Sequence, residues 1–254
     1  WRPDFRAAVE LLQGRKGAMH VDSLVSARKV RQEVHSVADA EDAFDAITYT
    51  KGGLVLSMLE RWIGEEAFRD GVRRYMKENE WGNATADDLW RALDGASGKD
   101  VSGVARTFLE SPGVPLVEAA ADGGSVSLRQ SPYRLLGCPG AAPEGYRWKI
   151  PVPLEGAGWR LLEGAEGRAT LPEGAPRPPH PNHGEWSYYR WSVGAAALRA
   201  LAGRWRGLDA RSLLGVLENA RGAVAAGRLA PDVYCDFLLA LREAPERHAV
   251  EEIA

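Results

Sequence analysis

Apolar positions in the first 110 residues recur at helical spacing. In PDFRAAVELLQG, Phe5, Val9 and Leu12 form one stripe and Gly14 reads as its stop. MHVDSLVSARKVRQEV continues the helical pattern through Val21, Leu24, Val25 and Val30. Over residues 51–63, the positions Leu54, Val55, Met58, Leu59, Trp62 and Ile63 cover the wide face of a substantially buried helix. Gly64 interrupts. EEAFRDGVRRYMKE restarts with glutamates in its first turn, where negative charge suits a helix N-terminus, and with Phe68, Val72, Tyr75 and Met76 as its stripe. NATADDLWRALDGASG places Thr85 as N-cap and Asp88 three residues on, a capping-box pattern with Asp for Glu. Leu89, Trp90 and Leu93 form its apolar face, and Gly95 or Gly98 ends it. VSGVARTFLES is a last short helix before Pro112.

The period then changes. VPLVEAAADGGSVSLRQS predicts two strands around Asp122-Gly123-Gly124, a hairpin signal. YRWKIPVPLE alternates Tyr146, Trp148, Ile150 and Val152 with polar residues, and its two prolines suit an edge strand. GWRLLEG, GRATLPEG and WSYYRWSV add three more strands, with the proline-stiffened loop PEGAPRPPHPNHGE between the last two. Residues 115–192 therefore read as a small all-β sandwich. After Gly194, three consecutive amphipathic helices with short turns look like the start of an αα-hairpin array, with too few units to show a repeat period. The predicted fold is multidomain and mainly α with a β-sandwich: helices over 1–113, the sandwich over 114–193, and the opening of a helical superhelical domain over 194–254.

Composition narrows the function class. A chain of 254 residues suits two domains with a third begun, and 45% apolar with 26% charged residues is ordinary for a globular protein. The net charge of −3 argues against a nucleic-acid surface. RWRG, residues 204–207, is a solvated corner rather than a basic patch. Cys138 and Cys235, one in a Gly/Pro loop and one in an apolar helix, indicate neither a disulfide framework nor a cysteine metal site. No apolar run approaches the ~18–20 residues of a membrane span. The opening WRPDF lacks Met and a signal-peptide pattern, and the tail RHAVEEIA stops within helical periodicity. The expectation is a chain cut from a longer protein, with any targeting signal upstream.

Candidate chemistry is sparse. His20 and His35 fall in helical stretches without partners at metal spacing. His180 and His183 in HPNH are three apart, but in a Pro-rich loop rather than on the rigid helix that paired zinc ligands use. HExxH, GxSxG, a P-loop and a helix-opening GxGxxG are all missing. DGASGKD, residues 94–100, reads as a helix C-cap rather than a phosphate loop. The acidic run of residues 39–45 offers carboxylates for acid–base chemistry, but it reads rather as the acidic first turn of a helix. Tyr49, in FDAITYTKGG, is the strongest candidate. A phenol at a helix start can point across a cleft and donate a hydrogen bond to a developing oxyanion. The alternative is a structural ring with a satisfied hydroxyl.

FDAITYTKGGLVLSMLERWIGEEAF closely resembles a segment of the M1-family zinc aminopeptidases that follows their metal site. There an aromatic residue precedes Tyr-x-Lys-Gly-(Ala/Gly), a Leu/Met-rich helix and a Gly-Glu-Glu-x-Phe turn. YMKENEWGNATADDLWRALDGASGKDV matches the family's next segment. FLESPGVPLVE resembles its exit into a β-sandwich, with Phe108 and Ser111 in place of the usual Trp and Gln. MHVDSLVSARKVRQEV resembles an upstream segment, with RKV where His-Pro-Ile is usual. WSYYRWSV resembles the strand that closes the sandwich. The resemblance is strong from about residue 17 to 120 and weaker from 185 to 206.

The resemblance implies the helical end of a thermolysin-like catalytic domain, a β-sandwich and the start of a HEAT/ARM-like domain that closes over the active site. Tyr49 matches the family's catalytic tyrosine, which stabilises the tetrahedral intermediate. Phe44 matches an aromatic near the substrate. Lys51 belongs to the motif without an assigned chemistry. The family's HExxH, its third zinc ligand and the loop that holds the substrate amine lie upstream of this segment, so this chain alone is expected to bind no catalytic zinc and to hydrolyse nothing. The full-length protein is expected to use zinc and act on peptides. The alternative is a non-catalytic relative serving as a protein-interaction scaffold. Richness in Ala, Gly and Arg suits a bacterial source of high GC content.

Overall fold

The computed structural model describes residues 7–33, 35–37, 39 and 47–244. Helix α1 spans Ala7–Asp22 and runs straight through Gly14, the expected stop. A helix-interior glycine costs only about 1 kcal/mol. Here both Gly14 and Gly17 sit on the exposed side, while Leu12, Arg15, Ala18, Met19 and Asp22 are buried on the other. That face carries one cation and one anion. Beyond Asp22 the expected helix does not continue, and residues 24–33 are irregular. Val25 is exposed there, so the apolar positions of this stretch lack a continuous surface to bury against.

A π-turn, Ile47–Lys51, leads into α2, Gly52–Ile63, which buries Val55, Met58, Leu59 and Trp62. After Gly64 come α3, Glu65–Glu78, and α4, Ala86–Ser97. The two pack closely where a Cβ on Gly71 would lie 2.7 Å from Leu93 Cδ2 and 3.1 Å from its Cα. The capping box is formed: Asp88 N donates to Thr85 Oγ1 and Thr85 N donates to Asp88 Oδ2 at 2.8 Å. Gly98, with φ 66°, closes α4 by donating to the Asp94 carbonyl, so DGASGKD is a helix C-cap. Helix α5, Val101–Leu109, ends before Pro112.

Strands β1, Pro115–Asp122, and β2, Ser125–Pro132, form the expected hairpin across Gly123-Gly124. Strands β3, Ile150–Leu154, and β4, Gly158–Leu162, pair with each other. Strands β5, Glu166–Thr170, and β6, Arg190–Val193, flank the hairpin. Among the described residues the sheet order is β5-β2-β1-β6, with β3-β4 apart from it. Strand β6 runs parallel to β1, and the other pairings are antiparallel. Strand β3 has one partner among the described residues, an edge position of the kind in which prolines such as Pro151 and Pro153 are tolerated. Buried Gln130 on β2 joins the two sheets. Its amide donates to the Trp148 and Gly164 carbonyls, each at 2.8 Å, and accepts from Trp148 N at 2.9 Å.

Helices α6, Ala195–Gly203, α7, Ala210–Ala225, and α8, Pro231–Ala240, follow. Asp209 caps α7 through Ser212 N, and α7 lies against both β6 and α1. RHAVEEIA lies outside the described residues. A single apolar cluster reaches from Leu12 on α1 through both sheets to Ala244.

Candidate functional site

Tyr49 occupies the middle of the π-turn. Ile47 and Lys51, two residues to either side, are 3% and 0% exposed, whereas Tyr49 is 63% exposed. The turn sinks both ends into protein and lifts the phenol out. Beneath it lies α1, with the Thr50 methyl 3.7 Å from where a Cβ on Gly14 would stand. Neither glycine of the pair after Lys51 makes a close approach. A Cβ on Gly52 would meet Val30 Cγ1 at an ordinary 3.8 Å, and one on Gly53 would meet nothing within 4 Å among the described residues. The close approach belongs to Gly71 instead. Gly53 is exposed one turn beyond Tyr49 and adds no side chain there.

Lys51 anchors the turn. Its ammonium lies 2.9 Å from Asp22 Oδ2, and both side chains are fully buried. It also donates to the Ser111 carbonyl at 3.1 Å and the Gly113 carbonyl at 3.4 Å. Asp22 in turn accepts from Gly113 N at 2.8 Å and from the Tyr188 hydroxyl at 3.1 Å. The Tyr188 ring stands 5.6 Å from the ammonium. Burial pushes the Lys51 ammonium below its usual value, against the pull of Asp22. It pushes the Tyr188 phenol well up, with the Asp22 charge adding to the effect. Ser111 takes part through its backbone carbonyl rather than its side chain.

Other sequence candidates separate. Phe44 lies outside the described residues, as do residues 40–45 of the acidic run. Asp39 is an exposed acceptor of the His35 and Ser36 backbone N–H groups, which hold its carboxyl below the ordinary range. His35 stands outside any helix, contrary to the sequence pattern. His180 and His183 diverge: His183 is exposed, and His180 is fully buried. His180 Nδ1 accepts from Asn182 N at 3.2 Å, and Nε2 lies 3.3 Å from the Ser212 carbonyl. Burial lowers its basicity. Both ring nitrogens are thus engaged in holding the 180–187 loop. Cys138 and Cys235 are exposed free thiols.

A second buried polar cluster has no local sequence signal, because its members come from distant segments. Arg15 on α1 pairs with Glu185, which also accepts from Trp191 Nε1 at 2.8 Å. Arg15 lies 3.6 Å and Arg190 lies 3.7 Å from the carboxylate of Glu218 on α7. Nearby, Arg61 and Arg211 each stand 4.1 Å from the Trp186 ring. Burial, followed by the Arg15 charge, draws the Arg211 guanidinium down to about 10. These contacts tie α1, α2 and α7 to the loop before β6 as structural clamps. Among the described residues no three His, Cys, Asp or Glu side chains gather to hold a metal ion.

Residues 2–108 match the Peptidase family M1 domain, a span that includes Tyr49 and Lys51. The chain is 32% identical over 203 residues to a probable M1 family aminopeptidase 1 of Encephalitozoon cuniculi, covering 79% of this chain and 23% of that protein. It is 27% identical over 238 residues to Tricorn protease-interacting factor F2 of Thermoplasma acidophilum, covering 94% of this chain and 29% of that protein. It is 34% identical over 138 residues to a leucyl aminopeptidase of Saccharolobus solfataricus, covering 54% of this chain and 17% of that protein. The chain thus spans less than a third of each of these relatives. The relatives come from mixed organisms and give a bacterial source no support.

Proposed function

We propose, from the premise that this chain belongs to peptidase family M1, that the whole protein is a metallo-aminopeptidase removing N-terminal residues from peptides, and that Tyr49 is this chain's contribution to the chemistry. One observation carries the reading: within the family-matched span, Tyr49 is lifted into solvent by a turn whose flanking residues Ile47 and Lys51 are buried. When a peptide carbonyl is attacked, negative charge develops on its oxygen. A phenol already held in place donates a hydrogen bond to that oxygen without reorganisation.

The family implies zinc, and the described residues do not fit it, since they gather no ligand set. Zinc ligands and general base are assigned to other parts of the whole protein, and this chain alone is read as inactive. Residues 1–113 are read as the C-terminal helical part of a thermolysin-like catalytic domain. Residues 114–193 are the β-sandwich and 194–254 the start of a helical domain. The switches to strand at Pro115 and back to helix at Ala195 support those boundaries. Phe44, which lies outside the described residues, is proposed as a substrate-binding aromatic on the resemblance alone.

A second reading, a protein-interaction module without catalysis, draws on the Thermoplasma relative, whose name records interaction with Tricorn protease. Tyr49→Phe in the whole protein separates the two. The catalytic reading expects kcat to fall by about 10²-fold or more with zinc content unchanged. A near-normal kcat removes Tyr49 from the chemistry, and a whole protein with neither zinc nor peptidase activity favours the module.

A further inference from the structure

We infer that Lys51, held by Asp22, is the positioning residue that fixes where the Tyr49 phenol points. This rests on the reading of Tyr49 as an oxyanion donor. Tyr49 and Lys51 share one five-residue π-turn, so the ammonium that anchors the turn also sets the height and rotation of the phenol two residues before it. The anchor is unusually complete. The Lys51 ammonium meets the carboxylate at the end of α1 and two carbonyls of the 111–113 linker, and Asp22 is clamped from its other side by Gly113 N and Tyr188. Three segments distant in sequence therefore agree on one position for the turn.

Energetics favour a geometric role over a purely stabilising one. Two charges withdrawn from water lose most of what their attraction returns, and well-packed apolar residues of similar volume do as well or better for stability. An ion pair with directional bonds gives something that apolar packing does not, namely one orientation. Ile47, the other buried end of the turn, carries no polar side-chain atom, whereas Lys51 brings an ion pair and two hydrogen bonds of fixed direction. Hydrogen-bond donation to a transient oxyanion depends steeply on placement, and a displacement of ~1 Å costs ~10²-fold in rate.

The test uses the whole protein and four variants: Lys51→Met, Asp22→Asn, Tyr49→Phe and the double variant Lys51→Met/Tyr49→Phe. The expected result is a fall in kcat of about 10-fold or more for Lys51→Met, with KM within about 2-fold, as for loss of an interaction realised only in the transition state. Asp22→Asn follows in the same direction. In the Tyr49→Phe background, Lys51→Met then adds little further loss, because the group it positions is gone. Two outcomes overturn the inference: Lys51→Met keeps its kcat, or it loses the same factor with and without the Tyr49 hydroxyl. The second is what a merely structural lysine would give. If Lys51→Met does not fold, Asp22→Asn and the double variant Asp22→Asn/Tyr49→Phe decide by the same comparison. A near-normal kcat for Tyr49→Phe alone overturns the catalytic reading and this inference with it. A large loss there beside an unaffected Lys51→Met overturns this inference alone.

Discussion

Lys51 and Asp22 meet at 2.9 Å where neither side chain touches solvent. Removing one partner strands a charge in the interior, which is far more destabilising than removing both. Asp22→Leu or Lys51→Met alone is expected to lower unfolding stability by about 3–5 kcal/mol. The double variant should lose less than the sum. Denaturant unfolding of all four proteins checks this, and additive losses would show that the pair is not coupled.

Two helical glycines give opposite expectations. Gly53 on α2 faces open space, so Gly53→Ala should stabilise by about 0.5–1 kcal/mol through helix propensity. Gly71 on α3 presses on Leu93, so Gly71→Ala should destabilise by about 1–3 kcal/mol through overpacking. Thermal melts of the two variants should shift in opposite directions.

Glu218 makes stability depend on pH. Its carboxylate faces Arg15, Arg190 and Lys16, which favour the charged form, and Glu185, which opposes it. Burial outweighs the cations and raises its pKa above 4.5. The folded state therefore keeps a proton that the unfolded chain releases. That contribution is fully present below about 4.5 and is lost as pH rises through the raised value. Glu218→Gln should flatten this fall. Melting temperatures from pH 4 upward, compared between the two proteins, check the slope, and parallel curves would exclude Glu218 as its source.

Gln130 is the polar joint between the two sheets. Gln130→Leu keeps the volume but leaves Trp148 N and two carbonyls without their side-chain partner. A loss of about 1–3 kcal/mol is expected, read by denaturant titration.

Local signals were legible where the physics is local. The capping box at Thr85 and Asp88, the Gly123-Gly124 hairpin and the prolines of β3 all stand where sequence placed them, because each is decided by a few neighbouring residues. The run of α1 past Gly14 was not legible, since burial of Arg15, Met19 and Asp22 depends on segments far away. The motif that holds Tyr49 and Lys51 was legible, whereas the partners of Lys51 were not. Asp22, Gly113 and Tyr188 carry no spacing that links them. The same holds for Arg15 and Glu185, which are 170 residues apart.

The parallel pairing of β6 with β1 has a topological consequence. The partner of Leu116 is Arg190, so strands β2 to β5 intervene in the chain before that edge is complete. Together with the Arg15–Glu185 and Asp22–Tyr188 contacts, the pairing laces the start of the chain to its last third. A nick in the surface loop at the exposed Leu136 would leave two pieces still interlocked, since each supplies strands and buried charges to the other. The helical and β regions are not beads on a string.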